Sequence, residues 1–134
     1  MQVTLFKNSS TFHGEDEETL TLRTKLAEGS PNQDQVEIIL EDDGHVFCAS
    51  LNDMEVKKLA EFLERGYDSA SSGLLVLGDK NEISLVFRHD NMGEPYREGV
   101  RVRVSGSDHF PDHLGPFIEK RQANEMRRFL VDKA

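Results

Sequence analysis

The chain has 134 residues, of which 37% are hydrophobic and 31% are charged, with a formal net charge of −9. The apolar fraction is too high for a disordered protein, and no apolar run reaches the roughly 18 residues that a membrane span needs. Met1–Asn8 is too short for a signal peptide and is followed by polar, acidic residues. We therefore expect a soluble globular protein with a single domain over residues 1–134.

Charge divides the chain into two halves. Residues 1–68 carry 6 basic and 15 acidic side chains, whereas residues 69–134 carry 10 of each sign. The net charge of −9 therefore resides in the first half. Such a field repels nucleic acid on average and attracts basic partners.

Alternating apolar and polar residues predict four strands and a helix in the first half. In chain order we predict a strand at Val3–Phe6, an acidic loop at Ser9–Glu18, a strand at Thr19–Ala27, a loop at Glu28–Asp34, and strands at Gln35–Glu41 and His45–Leu51. Asp42-Asp43-Gly44 predicts a hairpin turn, because Asp-Gly tolerates positive φ angles. Asn52 and Glu55 have the spacing of a capping box, which predicts a helix that ends at Arg65-Gly66.

The second half repeats this order. We predict a strand at Leu74–Leu77, a turn at Gly78–Asn81, a strand at Glu82–Asp90, a turn at Asn91–Pro95, a strand at Gly99–Ser105, a loop at Gly106–Gly115, a brief strand at Pro116–Glu119 and a helix at Gln122–Lys133. His89 continues the inward face of its strand, so we expect a neighbouring group to satisfy its ring.

The two predicted helices align at an offset of 67 residues, which places Val56 on Ala123 and Leu63 on Leu130. We predict an α+β fold of two pseudo-repeated units, residues 1–68 and 73–134, each with about four antiparallel strands and one helix packed on a curved sheet. This element order is similar to that of PUR-type and Whirly-type single-strand nucleic-acid-binding domains. The similarity is one of element order, because the sequence contains no residue motif of either family.

Motifs of several enzyme classes do not occur in the sequence. It contains no G-x-x-x-x-G-K-[ST] phosphate loop, no G-x-G-x-x-G after a strand, no H-E-x-x-H and no G-x-S-x-G. Asp90-Asn91-Met92-Gly93 also lacks the carboxylate spacing of a calcium loop. We therefore predict a protein that is not an enzyme and holds no cofactor.

Cys48 is the single cysteine, which excludes an intramolecular disulfide and a cysteine-based zinc site. A small domain without disulfides favours a reducing compartment, so we predict a cytoplasmic location. Cys48 lies mid-strand between Phe47 and Ala49. This position predicts a buried, inert thiol rather than a nucleophile served by His45 or His89.

Two acidic segments are the sharpest charge features. They comprise Glu15, Asp16, Glu17 and Glu18 in the first and Glu41, Asp42 and Asp43 in the second. We expect exposed carboxylates on loops carried by a rigid sheet, which suit an interface with a basic protein. The leading hypothesis is a small acidic binding protein of the inhibitor, immunity or accessory type. The alternative interpretation is an ordinary acidic loop and hairpin tip.

A group of arginines supports a second hypothesis, a single-stranded nucleic-acid-binding domain. Arg88, Arg97, Arg101 and Arg103 are predicted to share the outward face of two neighbouring strands, where guanidinium groups could bind phosphates. Phe87 and Tyr96 have the opposite parity, so no base-stacking ring is expected beside them. The alternative is a solvated face on which these arginines pair with Glu82, Glu94, Glu98 or Asp90.

A cluster of possible metal ligands supports a third hypothesis, a metal-binding module or enzyme. Asp108, His109, Asp112 and His113 lie within six residues. Pro111 disfavours a helix that would bring both imidazoles to one face. The alternative is a polar loop in which these side chains satisfy turn amides. We expect no membrane association, and the oligomeric state cannot be read from the sequence.

Overall fold

A computed structural model of the chain describes residues 6–14, 17–25, 36–65, 74–80, 83–92, 97–107, 110–111 and 113–132. Within these ranges lie eight strands and two helices. In chain order they are β1 (Phe6–His13), β2 (Thr19–Lys25), β3 (Val36–Asp42), β4 (His45–Leu51), α1 (Asp53–Arg65), β5 (Leu74–Lys80), β6 (Ile83–Met92), β7 (Arg97–Ser105), β8 (Phe117–Glu119) and α2 (Lys120–Asp132).

The strands form two antiparallel sheets, each followed by a helix. Sheet 1 has the order β1-β2-β3-β4 and sheet 2 has the order β5-β6-β7-β8. We call sheet 1 with α1 unit 1, and sheet 2 with α2 unit 2. The predicted α+β class and the strand-then-helix arrangement are confirmed, whereas the domain boundaries stay a prediction.

Both sheets bury one face, as the alternation predicts. In sheet 1, Leu20 pairs with Leu40 and Leu22 with Ile38, and all four side chains are fully buried. In sheet 2, the pairs that form the core are Leu85 with Val104, Phe87 with Val102 and His89 with Val100. The side chains that alternate with these point outward, and they determine the chemistry of the outer face of each sheet.

The two helices are matched in length and in position. Both have 13 residues, and α2 begins and ends 67 positions after α1. The predicted capping box opens α1, because the Asn52 amide donates to Glu55 Oε1 at 3.0 Å and the Glu55 amide donates to Asn52 Oδ1 at 2.9 Å. Neither described helix is long and apolar enough to cross a membrane.

The two units share one core. The helices contact each other; α1 also contacts β4 and β5, while α2 contacts β7, β8 and β1. Buried side chains from both units therefore form one contiguous cluster. Phe62 of α1 is fully buried in this cluster.

The main error of the sequence prediction concerns Ser9–Glu18. Residues Ser9–His13 belong to β1 rather than to a loop, and they pair in register with β2. Phe12 is the buried residue of this segment, and serine and threonine occupy its neighbouring positions. Such a strand has little apolar alternation and is stabilised by its ladder instead. The preceding residues of the predicted strand, Val3–Leu5, lie outside the described part.

Other element boundaries also differ from the predictions. β5 continues to Lys80 and β6 to Met92, where turns were predicted, while β7 begins at Arg97 and α2 at Lys120. The pairing of β5 with β6 is irregular between Leu77 and Lys80. Glycine and asparagine in these segments predicted turns, but pairing with a neighbouring strand overrides that local preference.

Candidate functional site

A depression of about 760 Å³ lies where the two units meet. We call it the acidic depression. It is lined by Glu17, Glu18, Thr19, Glu41, Asp42, Asp43, Gly44, Arg101, His113, Leu114, Gly115 and Phe117. Unit 1 supplies its carboxylates, and unit 2 supplies its arginine and histidine.

The antiparallel order of sheet 1 explains why the two acidic segments meet. The β1–β2 turn and the β3–β4 turn lie at the same end of sheet 1, because alternate turns of an antiparallel meander lie at the same end of its strands. The last pairs of the two hairpins are His13 with Thr19 and Asp42 with His45. Carboxylates that are far apart in the sequence therefore line one surface.

The β3–β4 hairpin has the predicted two-residue turn. Asp43 and Gly44 both have positive φ angles, of 48° and 79°, as a type I′ turn requires. The Asp42 carboxylate accepts a hydrogen bond of 2.9 Å from the Gly115 amide of unit 2. This bond fixes the hairpin tip against the opposite wall of the acidic depression.

Glu18 differs from the expected exposed carboxylate. Its side chain is only 7% exposed, and its carbonyl accepts a 2.7 Å hydrogen bond from the Gly14 amide. The carboxyl group lies so close to Gly14 that any side chain at that position would contact it. Glu18 thus closes the turn and stands at the base of the depression.

Three of the predicted acidic candidates are exposed at the depression, namely Glu17, Glu41 and Asp43. Asp42 is half-buried and is engaged with Gly115. Glu15 and Asp16 lie outside the described residues. The prediction of one uniformly exposed acidic surface is therefore wrong for Glu18 and Asp42, because the Glu18 side chain is buried and the Asp42 carboxylate is bonded to the Gly115 amide.

A smaller depression of about 210 Å³ lies on the outer face of sheet 2. We call it the arginine depression. Its lining comprises Val86, Arg88, Asp90, Arg101 and Arg103. Three of the four predicted arginines are thus brought together. Arg97 lies further along β7, opposite Met92, and does not line this depression.

Asp90 holds Arg101 in place. Its Oδ2 atom accepts a 3.1 Å hydrogen bond from Arg101 Nε, and its Oδ1 atom accepts a 2.8 Å bond from the Asn91 amide. Burial raises the pKa of Asp90, but the Asn91 amide and the Arg101 guanidinium outweigh it, so the pKa lies below its ordinary value. The Arg101 guanidinium also lies over the Phe117 ring, 5.3 Å from its centroid.

The expected pairing of these arginines with carboxylates holds for Arg101 and Asp90. Glu98 instead pairs with Lys120 at 3.7 Å, and Glu82 and Glu94 lie outside the described residues. Phe87 is fully buried on the opposite face, as its parity predicts. On the part of this face that the structure describes, no aromatic ring is exposed.

The metal hypothesis falls mostly outside the described residues. Asp108, His109 and Asp112 are not among them, whereas His113 is exposed and lines the acidic depression. Among the described residues, no group of three or more histidine, cysteine, aspartate or glutamate side chains could hold a metal ion. A metal site at the predicted cluster therefore stays a prediction.

Cys48 is exposed, so the prediction of a buried thiol is wrong. The side chains of Phe47 and Ala49 point inward, and Cys48 therefore points to the outer face of sheet 1. Partial burial and the nearby Glu37 carboxylate raise the pKa of the thiol, against the opposing charge of Arg23. A raised pKa keeps the thiol protonated and weakly nucleophilic at neutral pH.

Neither histidine considered as a base for Cys48 serves it. His45 lies on the inward face of β4, edge-on to Phe110 with centroids 6.4 Å apart. His89 is buried in sheet 2, where a ring nitrogen lies 2.9 Å from the Phe62 carbonyl oxygen. Its ring stacks on that of Phe62 at 4.0 Å. The prediction that a neighbour satisfies His89 is confirmed.

Sequence reasoning missed three contacts that hold the site together. They are the Asp42–Gly115 bond, the insertion of Phe110 beside Phe47, and the clamp of Gln122 on β1. The Gln122 amide accepts from the His13 N–H at 2.8 Å and donates to the His13 carbonyl at 2.7 Å. Of these residues only Phe110 carried a usable signal, because a large apolar ring in a polar loop indicates an anchor.

Comparison with known proteins gives no family for this chain: no protein-family model and no curated protein matches it. Function must therefore be argued from the geometry and charge of the two depressions. The protein partner, the absence of catalysis and the cytoplasmic location stay predictions.

Proposed function

We propose that this chain is a non-catalytic binding protein that recognises a basic segment of a protein partner in the acidic depression. The observation that carries the proposal is the convergence of two separate acidic segments on one concave surface. The non-catalytic part is supported by the lack of catalytic motifs in the sequence. An inhibitor, immunity or accessory protein would act in this way.

Charge favours a lysine- or arginine-containing partner. Glu17, Glu41 and Asp43 are exposed around the depression, and unit 1 lies in the half of the chain that carries the net charge of −9. Such a field raises the rate of encounter with a cationic surface and disfavours anionic competitors. Arg101 and His113 stand on the opposite wall, so the basic side chains of the partner would point toward unit 1.

The wall is also held in a fixed geometry. Asp42 is bonded across the depression to Gly115, and the Gly14–Glu18 bond closes the β1–β2 turn. A surface that is ordered before binding loses less conformational entropy when the partner docks. The exposed carboxylates therefore lie beside hydrogen bonds that anchor both hairpin ends.

The test compares two variants that remove the same charge. Glu17→Asn/Glu41→Gln/Asp43→Asn neutralises the depression, and asparagine suits the positive φ angles of Glu17 and Asp43. Glu61→Gln/Glu64→Gln/Glu125→Gln neutralises three exposed helix carboxylates outside it. Each variant and the native protein are used as bait with nuclease-treated lysate, and the affinity of a recovered partner is then measured at two salt concentrations.

We expect a stoichiometric, nuclease-resistant partner whose binding weakens in salt. The depression variant should bind at least about tenfold more weakly, as loss of charged hydrogen bonds implies, while the helix variant keeps its affinity. Equal loss in both variants would show that net charge, not this depression, governs binding. Unchanged binding in the depression variant would reject the proposed surface.

A further inference from the structure

The outer face of sheet 2 differs from that of sheet 1 at matched positions. Val36 pairs with Leu51 in sheet 1, and Val100 pairs with Ile118 in sheet 2, so strand pairing aligns the two sheets. This alignment places Arg23 of β2 on Arg88 of β6, since Thr24 pairs with Val36 and His89 pairs with Val100. It likewise places β3 on β7.

The matched cross-strand pairs have opposite charge character. In sheet 1, Arg23 lies directly opposite Glu37, and the two form an ion pair of 3.8 Å. In sheet 2, the corresponding pair is Arg88 directly opposite Arg101. Like charges directly opposite each other destabilise a sheet. Unit 2 thus has two like charges at the position where unit 1 has an ion pair.

A third arginine adds to this cluster. Arg103 is exposed at the position that matches Ile39 of sheet 1, and it lines the arginine depression with Arg88 and Arg101. Three guanidinium groups therefore line one depression with a single carboxylate, Asp90, which is occupied by Arg101 and the Asn91 amide. Among the described residues, neither Arg88 nor Arg103 forms an ion pair within 4.0 Å.

We propose that the arginine depression is an oxyanion site that binds a phosphate monoester. Guanidinium groups match the geometry of phosphate oxygens and bind them in pairs. A phosphate monoester carries a charge between about −1.5 and −2 at neutral pH, which complements three arginines and one aspartate. Bound among Arg88, Arg101 and Arg103, it would relieve the repulsion between Arg88 and Arg101, while Asp90 keeps Arg101 oriented.

Size and surroundings favour a small phosphorylated ligand over a nucleic-acid strand. The depression of about 210 Å³ accommodates one phosphate group and a small substituent over Val86. The described part of this face exposes no aromatic ring on which bases could stack.

The site is tested by titrating inorganic phosphate and phenyl phosphate into labelled protein at about pH 7.5, where phosphate is mostly dianionic. The arginine Nε–Hε signals report binding. Arg103→Ile recreates the residue of the matched position in sheet 1, and Arg103 does not line the acidic depression. Failure of this site therefore leaves the proposed protein interface unaffected. Arg23→Gln removes an arginine from the other sheet as the control.

Saturable shifts centred on Arg88, Arg101 and Arg103 are expected, with binding weakened at least about tenfold in Arg103→Ile and unchanged in Arg23→Gln. Shifts that grow linearly and equally at all arginines would overturn the proposal. A short oligothymidine strand is titrated in parallel. If the strand binds and neither phosphate compound saturates, the face is a nucleic-acid surface and the proposal is likewise overturned.

Discussion

The last hairpin of each unit joins matched strands in very different ways. β3 and β4 are connected by the two residues Asp43 and Gly44, whereas β7 and β8 are connected by residues 106–116. β4 pairs along all seven of its residues, while β8 has only three. Two described residues of this longer connection, Phe110 and Gly115, contact unit 1.

That crossing segment makes two attachments to unit 1. Phe110 is fully buried beside Phe47 of β4, and the Gly115 amide donates to the Asp42 carboxylate. The helices add to the interlock, since α1 contacts β5 and α2 contacts β1. These contacts join the two units into one body, and those of Phe110 and Gly115 come from the connection in which unit 2 differs from unit 1.

Phe110→Ala should have the largest effect. Removal of a fully buried phenyl ring destabilises a protein by about 3–5 kcal/mol, since the free energy gained by burying the ring is lost and a cavity remains. Urea unfolding measures the loss. Val46→Ala on the opposite face of β4, where Val46 is 53% exposed, is the control and should change stability by less than about 1 kcal/mol. Equal effects would show that Phe110 does not join the units.

Glycine substitutions in the two hairpins compare them directly. Gly115 has a φ of 136°, and a methyl group there would collide with the Val102 carbonyl oxygen, so Gly115→Ala should cost about 2–4 kcal/mol. Gly44 has a φ of 79° with open space around it, so Gly44→Ala should cost only about 1–2 kcal/mol. Unfolding free energies decide the order. Similar losses would mean that the β7–β8 connection adjusts freely.

One matched position in the first turn of each helix has different hydrogen-bond partners in the two units. Glu55 completes the capping box of α1, but Gln122, its counterpart at an offset of 67, bonds both backbone groups of His13 at the edge of β1. Edge strands expose such groups to unwanted pairing, and the Gln122 amide covers one residue of that edge. The same helical position therefore stabilises a helix in one unit and a sheet edge in the other.

Asn52→Ala and Gln122→Ala should each cost about 1 kcal/mol, the value typical of a lost cap or of exposed hydrogen bonds. Hydrogen exchange separates them. Gln122→Ala should remove the protection of the His13 amide, whereas Asn52→Ala should increase exchange only in the first turn of α1. Retained protection at His13 in Gln122→Ala would refute the clamp.

The sequence predicts those parts of the fold that depend on neighbours in the chain. Alternation identified the buried face of β2, β3 and β7, and Asn52 with Glu55 identified the start of α1. β1 was missed because the inward position next to Phe12 is the polar Ser10, which breaks the apolar alternation, so only pairing with β2 reveals the strand. An apolar ring in a polar loop marks Phe110 as an anchor, but its partner Phe47 and the partner of Gly115, Asp42, lie far along the chain, and no local pattern encodes those contacts.

The candidate sites follow the same division. The acidic segments and the arginines were recognised by charge, and their convergence follows once the meander order is known. The burial of Glu18 and the engagement of Asp42 were not predictable, because charge alone does not indicate burial and Asp42 bonds an amide 73 residues further along the chain. Charge indicates where a surface lies, whereas burial decides which of its carboxylates are available.

The smallest predicted effect concerns the ion pairs on the two outer faces. The pKa of Asp90 is held below its ordinary value, so this group stabilises the fold above its unfolded pKa of about 3.9. That contribution is lost as pH falls through the lower, folded value. Arg101→Gln should raise the pKa toward the ordinary value, but not fully, because the Asn91 amide still donates to the carboxylate.

Carboxyl-carbon NMR titration of Asp90 measures this shift, with Arg103→Gln as the control that leaves it unchanged. Because Asp90 and Arg101 are partly exposed, the change in stability should be small, and it should vanish at a pH below both pKa values. An Asp90 pKa that Arg101→Gln does not move would show that the Asn91 amide and the Arg88 charge hold it down without Arg101. In that case the Asp90–Arg101 pair of sheet 2 would not be an electrostatic counterpart of the Arg23–Glu37 pair of sheet 1.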